Sequence, residues 1–297
     1  MNIIMEKEKE EQQYLSLLKD IIDHGDKEEG RNGATISIFG ASMRFSLLNE
    51  RIPFITTKKL AWKTCLKELL WFISGSTDGK KLINSGVKIW KENGTRNFLD
   101  SRGLNHLKEN DLGPIYGHQW RHFNAPYTSC NEDYTGKGID QLQYIIDCLK
   151  DPIERKSRRL VMSAWNPCQI NEMALPPCHV LVQFNVSRGN LLSCALYQRS
   201  GDMGLGVPFN IASYSFLLCL LAKHCDLIPH EFIYNLGNAH IYEDHVDPIL
   251  IQLQRQPFDF PKIRIREKRE KIEEYTIEDF EISEYISHEN ISMNMHA

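Results

Sequence analysis

Two prolines, Pro176 and Pro177, stand immediately before Cys178, and a largely apolar run follows it. Proline fixes φ near −65° and has no amide hydrogen, so the thiol enters a β-rich segment on a stiff backbone. A cysteine held this way is a candidate nucleophile. A buried structural thiol is the commoner role for a free cysteine, and the neighbouring chemistry has to decide between the two. Thiolate is the reactive form, and a nearby guanidinium favours it. Arg199, on the next predicted strand, is placed to act in this way. His179 is a poor partner, because successive strand residues point to opposite faces, and this weakens a cysteine–histidine protease reading.

Other residues suggest what such a thiol would attack. Arg31, Arg158, Arg159 and Arg199 together exceed what one carboxylate requires and suit a phosphate. Ser200, Gly201 and Asp202 follow Arg199, and this stretch should break the strand and open backbone amides as a phosphate cradle. The Asn210 carboxamide offers a donor beside an acceptor, the pattern needed to read an imide-like base edge. His240 and Tyr242 alternate as in a strand, so both face one side and can grip a single ligand edge. Glu68 sits among Leu66, Leu69, Leu70 and Ile73. It is either a carboxylate at the rim of an apolar stripe or a functional acid in a cleft. Gly204 and Gly206 fail the dinucleotide fingerprint, whose third glycine would fall at Phe209.

The elements that must position these groups follow from periodicity. Residues 1–13 are rich in Glu, Lys and Gln and read as a frayed start. A helix is expected from Tyr14 to Gly25, then a polar loop over 26–33. Two strands, at 34–40 and 44–48, lie close enough to pair with each other. Helices are expected over 62–75, 139–149 and 211–223, with Asn210 just ahead of the last. Strands are expected over 160–165, 180–186 and 191–198. Residues 76–137, which include Trp90, Tyr116 and Trp120, form a long irregular segment of the kind that lines sites. The basic and acidic residues of 262–271 interleave as a solvated face rather than a nucleic-acid patch.

Composition sets the outer limits. The chain has 297 residues, 42% of them hydrophobic, with a formal charge of −4, enough for a sizeable core and unsuited to coating nucleic acid. Eight cysteines without C-x-x-C pairs indicate neither a zinc site nor a disulfide framework, and no secretory signal is evident. A reducing compartment is therefore expected. The most apolar stretch, 211–222, is too short to cross a bilayer.

Taken in order, several stretches carry a family resemblance: Glu68-Leu-Leu-Trp-Phe72, Gly113-Pro-Ile-Tyr-Gly117, Ser157-Arg-Arg159, Ala174-Leu-Pro-Pro-Cys-His179, the run from Tyr197 to Ser213, and Ala239-His-Ile-Tyr242. From Arg31 to the C-terminus the sequence resembles the thymidylate synthase family. The resemblance implies an α/β fold of the α+β type, a large twisted mixed sheet flanked by helices, in a homodimer packed sheet to sheet. It implies a frayed N-terminus and first helix over 1–25 and one catalytic domain over 26–297.

The implied reaction is reductive methylation of deoxyuridylate (dUMP) to thymidylate (dTMP). The carbon donor is 5,10-methylenetetrahydrofolate, used as co-substrate without a metal, and dihydrofolate is the other product. Cys178 would be the nucleophile, with Glu68, Tyr116, Arg199 and Asn210 also catalytic. Arg31, Arg199, Ser200, Gly201 and Asp202 would bind the nucleotide, with Arg158 and Arg159 reaching across from the partner subunit. Asn210 would read the uracil edge, and His240 and Tyr242 would grip the sugar. Trp90, Asn93, Asp202, Leu205, Gly206, Phe209, His296 and Ala297 would contact folate.

The chain departs from the family pattern at Asn238, where Asp is usual, and at His296, where Ala is usual. A cytoplasmic location is expected, with the nucleus also fitting a eukaryotic source, and neither membrane nor nucleic acid is expected as a partner. The nearest rival is a deoxycytidylate hydroxymethylase of the same superfamily, for which Asn210 is the discriminator. A non-catalytic nucleotide- or RNA-binding relative would have little use for the intact cysteine, arginines and Glu68.

Overall fold

The computed structural model describes residues 10–30 and 33–296. Arg31 and Ala297 lie outside the described residues. The chain runs α1 (Glu10–His24), β1 (Asp26–Gly30), β2 (Gly33–Ser46), α2 (Trp62–Ile73), α3 (Gly79–Asn84), α4 (Arg96–Ser101), α5 (Tyr116–His122), α6 (Gln141–Lys150) and β3 (Val161–Ser163). It continues through β4 (His179–Ser187), β5 (Leu191–Asp202), α7 (Gly206–His224), β6 (Ile228–Tyr242), α8 (Val246–Leu253), β7 (Lys262–Ile265) and β8 (Phe280–Ser283).

Six strands form a mixed sheet in the order β1-β2-β6-β5-β4-β3. Every pairing is antiparallel except β5 with β6, and α7 makes the crossover those two parallel strands need. A separate two-stranded sheet pairs β7 with β8. The sequence of α7 is apolar on nearly every side, and the helix is buried on nearly every side, with Phe216, Leu217, Leu218, Leu220 and Leu221 fully enclosed. It is the one described helix long and apolar enough to span a membrane, and it lies in the core between the sheet and α2.

Several boundaries differ from those expected. Helix α1 begins at Glu10, inside the stretch expected to fray. The Glu11 carboxylate is buried and accepts from the Thr56 and Thr57 amides and the Thr56 hydroxyl, while Glu10 pairs with Arg51 at 3.1 Å. Those partners lie far along the chain and hold the first turn in place.

The expected loop after α1 is instead the edge strand β1. All five of its residues are exposed, so backbone pairing to β2 defines it rather than side-chain burial. The two expected strands at 34–48 do not pair with each other. They form one strand, β2, that passes through Gly40 at φ +84° and keeps the same register to β6 on both sides, Phe39 opposite Asn238 and Ala41 opposite Leu236.

Candidate active site

A cavity of about 420 Å³ opens where the carboxyl ends of β5 and β6 meet the start of α7, and α2, α5 and the C-terminal tail complete its wall. Cys178 and Glu68 both line it. So do Trp90, Asn93, Tyr116, Arg199, Ser200, Asp202, Leu205, Gly206, Phe209, Asn210, His240, Tyr242 and His296. These residues come from eight segments of the chain, and the fold collects them in one place.

Cys178 sits just before β4, where the Tyr116 hydroxyl accepts its backbone N–H at 2.7 Å. The guanidinium of Arg199 donates to the Pro177 carbonyl at 2.9 Å and to the Pro176 carbonyl at 3.0 Å, pinning the stiff turn that carries the thiol. Burial pushes the Cys178 thiol up, and Arg199 offsets only part of that. The net direction is opposite to the one expected from the arginine alone. In the free site the desolvation of a thiolate outweighs one cation whose donors are partly engaged by carbonyls.

Glu68 is fully enclosed on α2, and burial raises its carboxyl from 4.5 to about 7, against the lowering effect of the Trp90 indole N–H, which donates to it at 2.6 Å. A carboxyl titrating near neutrality can both give and take a proton at physiological pH. Tyr116, the first residue of α5, has its hydroxyl raised well above its ordinary value by burial.

Asn210 lies inside α7, which starts one turn earlier than expected. Pro208 is tolerated in a first turn, where amide hydrogens have no intrahelical partner. The Asp202 carboxylate accepts from the Gly204 and Leu205 amides at 2.8 and 3.3 Å and so fixes the entry to that helix. Gln198 donates to the Asn210 side-chain oxygen at 3.0 Å and to the Ser200 carbonyl at 2.8 Å, while accepting from the Tyr234 hydroxyl at 2.6 Å. The Asn210 carboxamide is thus oriented by a neighbour that sequence reasoning did not single out. The signal was the alternation of β5, which puts Gln198 on the same face as Ser200 and Asp202.

The stretch from Arg199 to Asp202 does not break β5. Ser200, Gly201 and Asp202 pair with Asn238, Ala239 and His240 of β6, so the strand continues through them. Gly201 is buried and does not line the cavity. A Cβ there would come within 2.7 Å of Leu236 and 2.9 Å of Val207, so this glycine permits close packing of β5 beneath α7.

His179 was expected to face away from Cys178, yet it lines the same cavity. Cys178 stands just before β4, which begins at His179, so the strand alternation expected to separate the two side chains does not reach the thiol. Burial lowers the imidazole to about 4, against the raising effect of Asn210 beside it. It is therefore neutral, and a cysteine–histidine ion pair is not available. Arg158 and Arg159 do not reach this cavity; both are exposed ahead of β3.

A thiol and a neutrality-tuned carboxyl on one cavity, with a carboxamide that offers a donor beside an acceptor and an arginine–serine pair of the kind that suits an anion, fit addition to a nucleotide ring. Comparison with known proteins decides the matter. A family model described as thymidylate synthase matches residues 12–297. The chain belongs to the thymidylate synthase family. That makes it an enzyme of the methyltransferase class.

Among its relatives, the thymidylate synthase of Homo sapiens is 52% identical over 286 residues, covering 96% of this chain and 90% of that protein. The thymidylate synthase of human herpesvirus 8 is 51% identical over 287 residues, covering 96% and 84%. The bifunctional dihydrofolate reductase-thymidylate synthase of Plasmodium chabaudi is 50% identical over 297 residues, the whole of this chain and half of that protein. The large mixed sheet with flanking helices is the fold the resemblance implied.

Proposed function

We propose that the chain converts dUMP and 5,10-methylenetetrahydrofolate to dTMP and dihydrofolate through a covalent adduct on Cys178. The observation that carries this reading is the convergence of Cys178, Glu68, Arg199 and Asn210 on one cavity. Arg199 and Ser200 hold the phosphate, and the Asn210 amide donates to one uracil carbonyl while its oxygen accepts from the ring N–H. His240 and Tyr242, adjacent on the pocket face of β6, grip the sugar hydroxyl.

The Cys178 sulfur bonds to ring carbon 6, which gives carbon 5 the electron pair that takes the folate methylene. Loss of the carbon 5 proton, with Glu68 and Tyr116 handling protons, expels tetrahydrofolate. Hydride transfer from that folate then completes the methyl group, and the sulfur departs. Trp90, Asn93, Asp202, Leu205, Gly206, Phe209 and the tail form the folate end. Asn210 in place of a carboxylate, together with relatives named as thymidylate synthases, disfavours the hydroxymethylase reading.

The active form is proposed to be a homodimer. In the sheet, Ser42, Asn235, Tyr197 and Leu181 form one cross-strand row, and Val161, Leu181 and Tyr197 are 39%, 36% and 40% exposed on this face. A partly apolar sheet face of this kind is what a second copy would cover. The exposed Arg158 and Arg159, at the edge of that face, would then complete the partner's phosphate site. Eight free thiols suit a reducing compartment such as the cytoplasm.

The test is mass spectrometry after mixing the protein with 5-fluoro-dUMP and methylenetetrahydrofolate. A protein mass increased by both ligands, and absent in Cys178→Ala, supports the reading. No adduct on a folded protein that binds dUMP refutes it.

A further inference from the structure

At the cavity rim, three side chains from the turn after β6 and from the C-terminal tail converge in a way the reaction does not require. Asp244 Oδ1 lies 2.9 Å from His296 Nε2 and 4.0 Å from His245 Nε2. All three donor atoms fall within 4.8 Å of one another. The surroundings favour the same arrangement. Asp244 Oδ2 accepts from the Asn294 carboxamide at 3.0 Å, which orients the carboxylate. The Asn294 carbonyl oxygen lies 2.7 Å from His245 Nε2, a fourth donor atom at the same spot.

His245 is fully buried, and its other nitrogen, Nδ1, has no hydrogen-bond partner while lying 3.6 Å from the Asp202 carboxylate. With the ring proton on Nε2, a lone pair on Nδ1 faces a carboxylate. With a cation on Nε2 the ring proton sits on Nδ1, where the Asp202 carboxylate can accept its hydrogen bond. Carboxylate–histidine–metal relays are built this way.

We propose that His245, His296 and Asp244 form a site for a divalent cation of the zinc class, which clamps the C-terminal tail against the cavity rim. Two imidazoles and one carboxylate suit Zn²⁺, Co²⁺ or Ni²⁺, whereas Mg²⁺ and Ca²⁺ select oxygen donors. The tail is already seated there: the His296 ring stacks on the Tyr242 ring with centroids 4.0 Å apart at 21°, and Met295 and His296 line the cavity. An ion joining His296 to His245 and Asp244 holds the tail closed, so it hinders entry and exit at the folate end. That consequence rests on the proposed thymidylate synthase reading; the binding does not.

The binding experiment is a titration of the full-length protein with Co²⁺, read by the visible bands of the bound ion. One equivalent should bind with bands of nitrogen and oxygen ligation. His296→Ala and Asp244→Asn should weaken it by about a hundredfold or more, and Asp202→Asn, outside the ligand set, by about ten- to a hundredfold. Cys178→Ala should leave it unchanged, and Mg²⁺ should not compete. His296 and Asp244 lie at the surface, so their variants should keep the parent's circular dichroism and melting temperature.

Unchanged affinity in His296→Ala, a sulfur-to-cobalt band lost in Cys178→Ala, or no saturation below about millimolar Co²⁺ overturns the site. In turnover assays, Zn²⁺ should inhibit the parent reversibly with EDTA and should inhibit His296→Ala far less, relative to each protein's own rate. Saturable binding without that difference overturns the clamp and leaves the thymidylate synthase reading intact.

Discussion

Replacing Glu68 with glutamine should make the protein a worse enzyme and, at neutral pH and above, a more stable one. Burial lifts the folded carboxyl from 4.5 to about 7, so between those values the folded chain binds a proton that the unfolded chain has released. Stability therefore falls as pH rises through this window and stays reduced above it. At about 1.36 kcal/mol per pKa unit, the loss attributable to Glu68 is about 3 kcal/mol.

Glutamine is nearly isosteric, still accepts from the Trp90 indole, and does not ionise. Urea unfolding at fixed protein concentration should give midpoints for parent and Glu68→Gln that are close at pH 4.5. By pH 8 they should diverge in favour of the variant by a shift equivalent to about 3 kcal/mol. Turnover should move the other way, falling by about 10²–10⁴, the usual worth of a positioned acid–base group. If parent and variant lost stability in parallel between pH 4.5 and 8, Glu68 would not be a neutrality-tuned carboxyl, and its role as proton carrier would go with it.

Cys178→Ser should keep nucleotide binding and lose turnover by orders of magnitude, because a serine hydroxyl is scarcely ionised; a rate within about tenfold of the parent removes Cys178 as nucleophile. Asn210→Asp should shift preference from dUMP toward deoxycytidylate by about tenfold or more, since a carboxylate cannot donate to a uracil carbonyl but accepts from a cytosine amino group. Unchanged relative kcat/KM for the two nucleotides would contradict Asn210 as the reader of the base. Refolding Cys178→Ala together with Arg159→Glu should restore about a quarter of parental activity, because about half the dimers are mixed and each holds one intact site. Mixed dimers confirmed by native mass spectrometry without recovered activity would place the arginines in cis.

The site was readable where chemistry depends on residue type and fold geometry adds little. Cys178 after two prolines, Asn210 before an apolar helix and Glu68 in a leucine stripe each stood out before their neighbours were known, and all three line one cavity. What could not be read was set by distant partners. The start of α1 is held by Thr56 and Thr57, β1 is a strand because β2 lies beside it, and β2 stays whole because β6 pairs along its length. None of these follows from local periodicity, which reports burial of side chains and not the backbone pairing of an exposed edge. His179 was misplaced for a sharper reason, since β4 begins at His179 and the alternation argument was applied to Cys178, one residue outside the strand.

The same burial that builds the cavity works against ionisation of its reactive groups. The Cys178 thiol, the Tyr116 hydroxyl and the Glu68 carboxyl are all raised by desolvation, and Arg199, the cation that opposes this at Cys178, spends hydrogen bonds on the Pro176 and Pro177 carbonyls. A resting enzyme of this kind holds a thiol rather than a standing thiolate, which protects it from oxidation and stray electrophiles. In the proposed reaction the nucleophile is then generated as the ring is attacked, with the thiol proton passing into a network whose carboxyl, Glu68, titrates at about 7. On the proposed reaction, reactivity is thereby tied to occupancy: a base held by Asn210, which Gln198 orients, lets the cost of ionising the sulfur be recovered in a carbon–sulfur bond.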